Sequence, residues 1–124
     1  AGAADDPKGK TGLAHYLEHL LFTGTKQHPE GAYERFVVAA GGKQNAFTTR
    51  DYTAYYTLIA KEQLDAVMQF EVDRLQNLTL DPARVARELN VITEERHSRV
   101  ETNPAALFNE QLSAITFLNH PYRQ

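Results

Sequence analysis

An α+β fold, with an antiparallel sheet packed against helices, is what this sequence predicts, and three observations carry that reading. Apolar residues recur at helical spacing in separate stretches, which marks helices with one face turned inward. From Lys43 to Ala60 the period shortens and Thr and Tyr accumulate, as they do in paired strands. Pro and Gly punctuate the pattern: Pro29, Pro82 and Pro104 open helices, and Gly24 and the pair Gly41-Gly42 close them. The chain has 124 residues, single-domain size, and its 42% hydrophobic and 23% charged residues are ordinary for a globular protein.

Taken in order, residues 1 to 10 read as a polar loop with Pro7 and Gly9 as breaks. A first helix runs from about Gly12 to Phe22. At about 100° per residue, His15, Glu18, His19 and Phe22 fall on one side and Leu13, Leu17, Leu20 and Leu21 on the other, so the leucine side is expected to be buried. Pro29 starts a second helix that reaches Ala40 and packs through Tyr33, Phe36 and Val37. His28, before it, reads as a loop or capping residue, since nothing acidic or imidazole-bearing repeats near it. Two antiparallel strands, Asn45–Thr49 and Tyr52–Ala60, are expected about Arg50-Asp51, with Tyr52, Tyr55 and Tyr56 packing the sheet.

A third helix, about Lys61 to Asn77, carries Leu64, Val67, Met68, Glu71 and Leu75 at core spacing. Asp81 is a good N-cap for a fourth helix that runs from Pro82 to about Val100, and on it Val85, Glu88, Leu89, Ile92, Glu95 and Arg99 share one face. The last helix, Asn103 to Thr116, is expected to bury Leu107, Phe108, Leu112 and Ile115. His97 and His120 read as surface residues. No internal repeat or low-complexity segment appears.

The chemistry concentrates in His15-Tyr-Leu-Glu18-His19. Two imidazoles at i and i+4 stand one turn apart and suit a single Zn²⁺, which would lower the pKa of a bound water from about 16 to about 7. Glu18 is better placed as the general base for that water than as a ligand beside both histidines. A plain alternative is a solvated polar helix face. The third ligand must come from elsewhere, and the fourth helix offers two carboxylates on an apolar face, Glu88 and Glu95, of which Arg99 could serve one. Helix geometry leaves both open and sets Glu94 apart as solvated. With no cysteine, a disulfide framework and thiolate ligands are excluded. A net charge of −3 with scattered Lys and Arg argues against a nucleic-acid partner, and no apolar run is long enough for a membrane span.

Together these motifs resemble the insulinase and pitrilysin-like zinc metallopeptidases, which include the mitochondrial processing peptidases. The likeness rests on Gly12-Leu-Ala-His15-Tyr-Leu-Glu18-His19, Phe22-Thr-Gly24-Thr, Gly41-Gly-Lys-Gln-Asn45-Ala46-Phe-Thr-Thr-Arg-Asp-Tyr-Thr53 and Glu88-Leu-Asn-Val-Ile-Thr-Glu-Glu95. In that family a glutamate about 76 residues past the second His completes the zinc site, the spacing from His19 to Glu95, and a glutamate seven residues earlier supports it. The resemblance therefore implies one Zn²⁺ per chain held by His15, His19 and Glu95, with Glu18 as base and Glu88 aiding catalysis or orienting a ligand. It implies that the strand through Asn45, Ala46 and Phe47 is a sheet edge that pairs with the backbone of a peptide substrate.

The resemblance also implies an endopeptidase, with residues 1 to 124 forming part of one N-terminal peptidase domain and further domains missing. A second homologous half, in the same or another chain, would close over the peptide and supply an Arg and a Tyr to the oxyanion, so the chain alone is expected to be weakly active or inactive. A non-catalytic partner or regulatory subunit of the same fold is the alternative. The S-ribosylhomocysteine lyases resemble the signature too, but they use cysteines that this chain lacks. The start at Ala1 and the stop at Gln124 read as those of a fragment or processed piece. The tail His120-Pro-Tyr-Arg123 is similar to the bacterial branch, which favours the periplasm over the cytoplasm.

Overall fold

The computed structural model describes residues 1–123. It contains α1 (Leu13–Leu20), α2 (Ala32–Ala39), β1 (Lys43–Thr48), β2 (Thr53–Leu58), α3 (Leu64–Asn77), α4 (Pro82–Arg96) and α5 (Pro104–Thr116). The α+β class expected from the two periods is what forms. β1 and β2 pair antiparallel, with Thr48 opposite Thr53, Ala46 opposite Tyr55 and Lys43 opposite Leu58. The turn centres on Arg50-Asp51 because Thr49 organises it: its N–H donates to Tyr52 O, and its hydroxyl accepts from the amides of Asp51 and Tyr52.

The N-terminal ten residues are more than a polar loop. Ala3 and Ala4 donate their amides to Thr49 O and Arg50 O, and Ala3–Asp5 forms a 3-10 turn. Asp6 is buried and accepts from the amides of Gly12, Leu13 and Ala14 at 2.8, 3.1 and 2.9 Å. A carboxylate brought from six residues upstream thus caps α1, taking the donors a helix start leaves free and meeting the positive end of its dipole. Gly24 lies past the helix, not at its cap. At φ 88° it bridges Pro29, and a Cβ there would stand 2.5 Å from Glu30 N. α2 begins at Ala32, after a turn in which Ala32 N donates to Pro29 O. α4 runs on into a wider π turn, His97–Glu101.

Packing departs from the wheel readings in four places. α1 lies against the hairpin and α4, so part of its histidine side is covered too: Glu18 is buried, and of the leucine side Leu20 is buried whereas Leu13 and Leu17 are 45% and 51% exposed. α3 buries Val67, Asp73 and Arg74 and turns Leu64, Met68 and Leu75 outward. The inward side is selected by what it meets. Phe70 stacks on Tyr33 at 4.8 Å, and Arg74 pairs with Glu71 at 2.6 Å beneath the rings of Phe22, Tyr33 and Tyr55. α5 leaves Phe108, Leu112 and Ile115 exposed, since its contacts run to the π turn and to the C-terminal turn, Pro121–Arg123. On β2, Tyr55 packs inward against Phe22, while Tyr52 and Tyr56, on the alternate face, are half exposed.

The buried side of this layer is polar as well as apolar. The Tyr33 hydroxyl donates to Glu71 and shares a hydrogen bond with Thr57, and burial pushes its pKa up to about 12. Burial, followed by the neighbouring Glu18 charge, raises Tyr55 to about 12 as well. Val37, 1% exposed, anchors α2 beneath the sheet.

Candidate metal centre

α1 and α4 build the centre between them. The Tyr16 hydroxyl donates to the Val85 carbonyl and braces the two helices. Asp81 starts α4 by accepting from the amides of Ala83 and Arg84, and two turns later the helix brings first Glu88 and then Glu95 past α1. Glu95 Oε2 lies 3.5 Å from His15 Nε2 and 3.6 Å from His19 Nε2. One ligand atom from each of the three residues falls within 4.8 Å of the others. A tetrahedral ion about 2.1 Å from its ligands sets them about 3.4 Å apart, close to the two distances here.

Glu95 Oε2 is also buried without a hydrogen-bond partner among the described residues. A carboxylate oxygen in that state is costly unless a cation faces it, so the donor set and its orphaned oxygen fit a divalent metal. Its other oxygen, Oε1, is 3.3 Å from Arg99 Nη2. Glu88, the candidate that helix geometry left level with Glu95, instead meets the far side of His19: its Oε2 is 3.4 Å from Nδ1. That leaves the His19 Nε2 lone pair toward Glu95 when Nδ1 carries the proton. Glu94 is exposed, as its position on the helix implied.

Glu18 is 8% exposed and accepts a hydrogen bond at 2.5 Å from the Thr48 hydroxyl, which in turn contacts the Thr53 hydroxyl at 3.0 Å. A cleft of about 400 Å³ joins Glu18 to His15, His19, Glu88 and Glu95, and Asn45 and Ala46 line it beside the histidines. Ala46 N–H is bonded to the Asn45 side chain at 2.9 Å, so it is not spent on the pairing with β2. Phe47 is not brought to the cleft. It points to the opposite face of β1, 42% exposed, edge-on to Tyr52. Thr48 and Arg87 were absent from the sequence reading. Alternation along β1 would have found Thr48, because it shares a face with Ala46.

His28 does have an acidic partner. Its Nδ1 is 2.8 Å from Asp73 Oδ2, which also accepts from the Thr25 hydroxyl, while Asp73 Oδ1 accepts from Asn77. The partner is 45 residues away and reaches His28 only through the fold of α3. Hydrogen bonds from Thr25 first, then from His28 and Asn77, hold the Asp73 carboxyl below its ordinary pKa. This cluster belongs to the packing of α3, on the far side of Phe22 from the cleft. His97 and His120 are exposed, as expected.

The sequence model of the insulinase family, peptidase family M16, matches residues 1–124. The chain is similar to the zinc protease PqqE of Helicobacter pylori, 31% identical over 98% of this chain and 27% of the relative. It is also similar to the beta subunit of the mitochondrial-processing peptidase of Blastocladiella emersonii, 38% identical over 77% of this chain and 20% of that protein. Bovine cytochrome b-c1 complex subunit 1 is 32% identical over 100% of this chain and 26% of its own length. Among solved structures, a protease from Helicobacter pylori superposes with a TM-score of 0.87 at 30% identity, over 99% of this chain and 30% of that one. The chain thus spans under a third of the length of these relatives.

Proposed function

The chain belongs to the insulinase family, peptidase family M16, and from that premise we propose that it carries the metal centre of a zinc-dependent endopeptidase. The observation that carries the reading is the orphaned Glu95 Oε2 facing His15 Nε2 and His19 Nε2. His15, His19 and Glu95 would hold one Zn²⁺ per chain. When bound, such an ion supplies a Lewis acid for the scissile carbonyl and a water acidic enough to react near neutral pH.

The remaining roles fall to the chain's own groups. Glu18 takes the proton of the attacking water and delivers it to the leaving amine. The Thr48 hydroxyl pins Glu18 Oε2, which leaves Oε1 as the proton carrier. The outer edge of β1 at Asn45 and Ala46 offers main-chain groups to an extended peptide, which would displace the Asn45 side chain from Ala46 N–H. Phe47 would contribute through strand geometry alone. Residues 1 to 124 act within one N-terminal peptidase domain, and a second homologous half, in the same or another chain, closes the site over the peptide.

A second reading, a non-catalytic subunit, draws on the likeness to cytochrome b-c1 complex subunit 1, a protein named for a complex and not for proteolysis. The two separate on Glu18→Gln. In the intact protein with its second half, this variant is expected to keep zinc and to lose peptide hydrolysis by at least about 100-fold. Turnover equal to the parent's would remove Glu18 from the base role, and a parent with zinc but no turnover would favour the non-catalytic subunit.

A further inference from the structure

Arg87 has no part in the chemistry above, yet it is bound into the centre. Its Nε and Nη2 both donate to Glu88 Oε1, at 3.0 and 2.9 Å, and Nη2 also donates to Glu30 Oε1 at 2.6 Å. Residues i and i+1 on a helix point about 100° apart and do not ordinarily meet. Glu30, on the turn before α2, draws the guanidinium across the helix and makes the contact with Glu88 possible. Glu88 is 14% exposed, and its second oxygen lies against His19 Nδ1.

We propose that Arg87 is a positioning residue for the metal centre: its two N–H groups hold Glu88 Oε1, turn Glu88 Oε2 onto His19 Nδ1, and so fix the His19 ring with Nε2 toward Glu95. The contribution is orientation. Arg87 is 49% exposed and Glu30 41% exposed, so their ion pair adds little stability of its own. What it removes is rotation of the Glu88 carboxylate, which biases the His19 proton toward Nδ1 and limits rotation of the ring. The relay joins three elements that are distant in sequence: Glu30 before α2, Arg87 and Glu88 on α4, and His19 on α1.

The role in zinc binding rests on the zinc reading, so the experiment has two arms. In the metal-free intact protein with its histidines neutral, ¹⁵N chemical shifts of the His19 ring are expected to report a larger Nδ1-protonated share than in Arg87→Ala, with Glu95 Oε2 competing for the proton at Nε2 in both. A tautomer ratio unchanged in Arg87→Ala overturns the proposal. In the second arm, zinc affinity is measured by chelator competition. Arg87→Ala is expected to weaken it about 10-fold, and to cause no further loss in a Glu88→Gln background. Equal losses in both backgrounds would mean that Arg87 acts through general stability, and would also overturn it. A parent that binds no zinc removes the zinc reading, while the tautomer arm still decides for or against Arg87.

Discussion

At the scale of single residues, the centre follows from side-chain chemistry and α-helical spacing. His15 and His19 were legible because i and i+4 on one helix must share a face. Helix geometry alone left Glu95 as one of two, since a wheel ranks residues by direction and says nothing of which neighbour they reach, and the family resemblance singled it out. The packing of α4 on α1 separates the pair, giving Glu95 to both Nε2 atoms and Glu88 to Nδ1 of His19. Asp73 was not legible at all. It sits on the third helix among residues read by their apolar neighbours, and its value lies in Thr25, His28 and Asn77, all brought by the fold.

That cluster makes a prediction about acid. Because the folded Asp73 carboxyl titrates below its ordinary value, the unfolded chain takes up the proton first as the pH falls. Its contribution is therefore complete above about pH 4 and fades as the pH drops through the lower, folded pKa. In urea titrations Asp73→Asn should be less stable than the parent near neutrality, and the gap should narrow as the pH falls below about 4. A gap that stays constant over that range would show that Asp73 is not tied to stability through its charge.

At the scale of elements, the helices and the hairpin were legible from period, Pro and Gly, and so was the inward face of α2 through Tyr33, Phe36 and Val37, but those of α3 and α5 were not. The reason is plain in α3, whose apolar residues Leu64, Met68 and Leu75 face outward while Val67 is buried and Phe70 and Arg74 meet the aromatic rings beneath it. Apolar periodicity identifies a helix but not the neighbour that covers it. The cap of α1 was hidden for a related reason: Asp6 reaches it across an irregular loop, outside any local capping pattern. The cap of α4 is local, and was read correctly. Its carboxylate takes the Ala83 and Arg84 amides at 3.0 and 3.1 Å. Asp81→Ala is expected to lower unfolding stability by about 1 kcal/mol, read from the urea midpoint. No change would mean that solvent serves those amides equally well.

At the scale of the whole molecule, two helices far apart in sequence must meet for the centre to exist. α1 reaches α4 through the Tyr16 to Val85 bond and through the histidine face itself, with Asp6 holding one helix start and Asp81 the other. Leu13 and Leu17 of α1 and the outer sides of α3 and α5 stay open, so the polar centre is better covered than much of the apolar surface. A buried carboxylate oxygen without a donor among the described residues, at the junction of the two helices, is costly unless a cation faces it, and it is the feature that supports the metal reading.

The direct test is the zinc content of the purified protein, measured by elemental analysis beside Glu95→Gln. One zinc per chain in the parent and a marked loss in the variant are expected if His15, His19 and Glu95 form a single site. A folded parent without zinc, or a Glu95→Gln variant that retains it in full, would contradict the account.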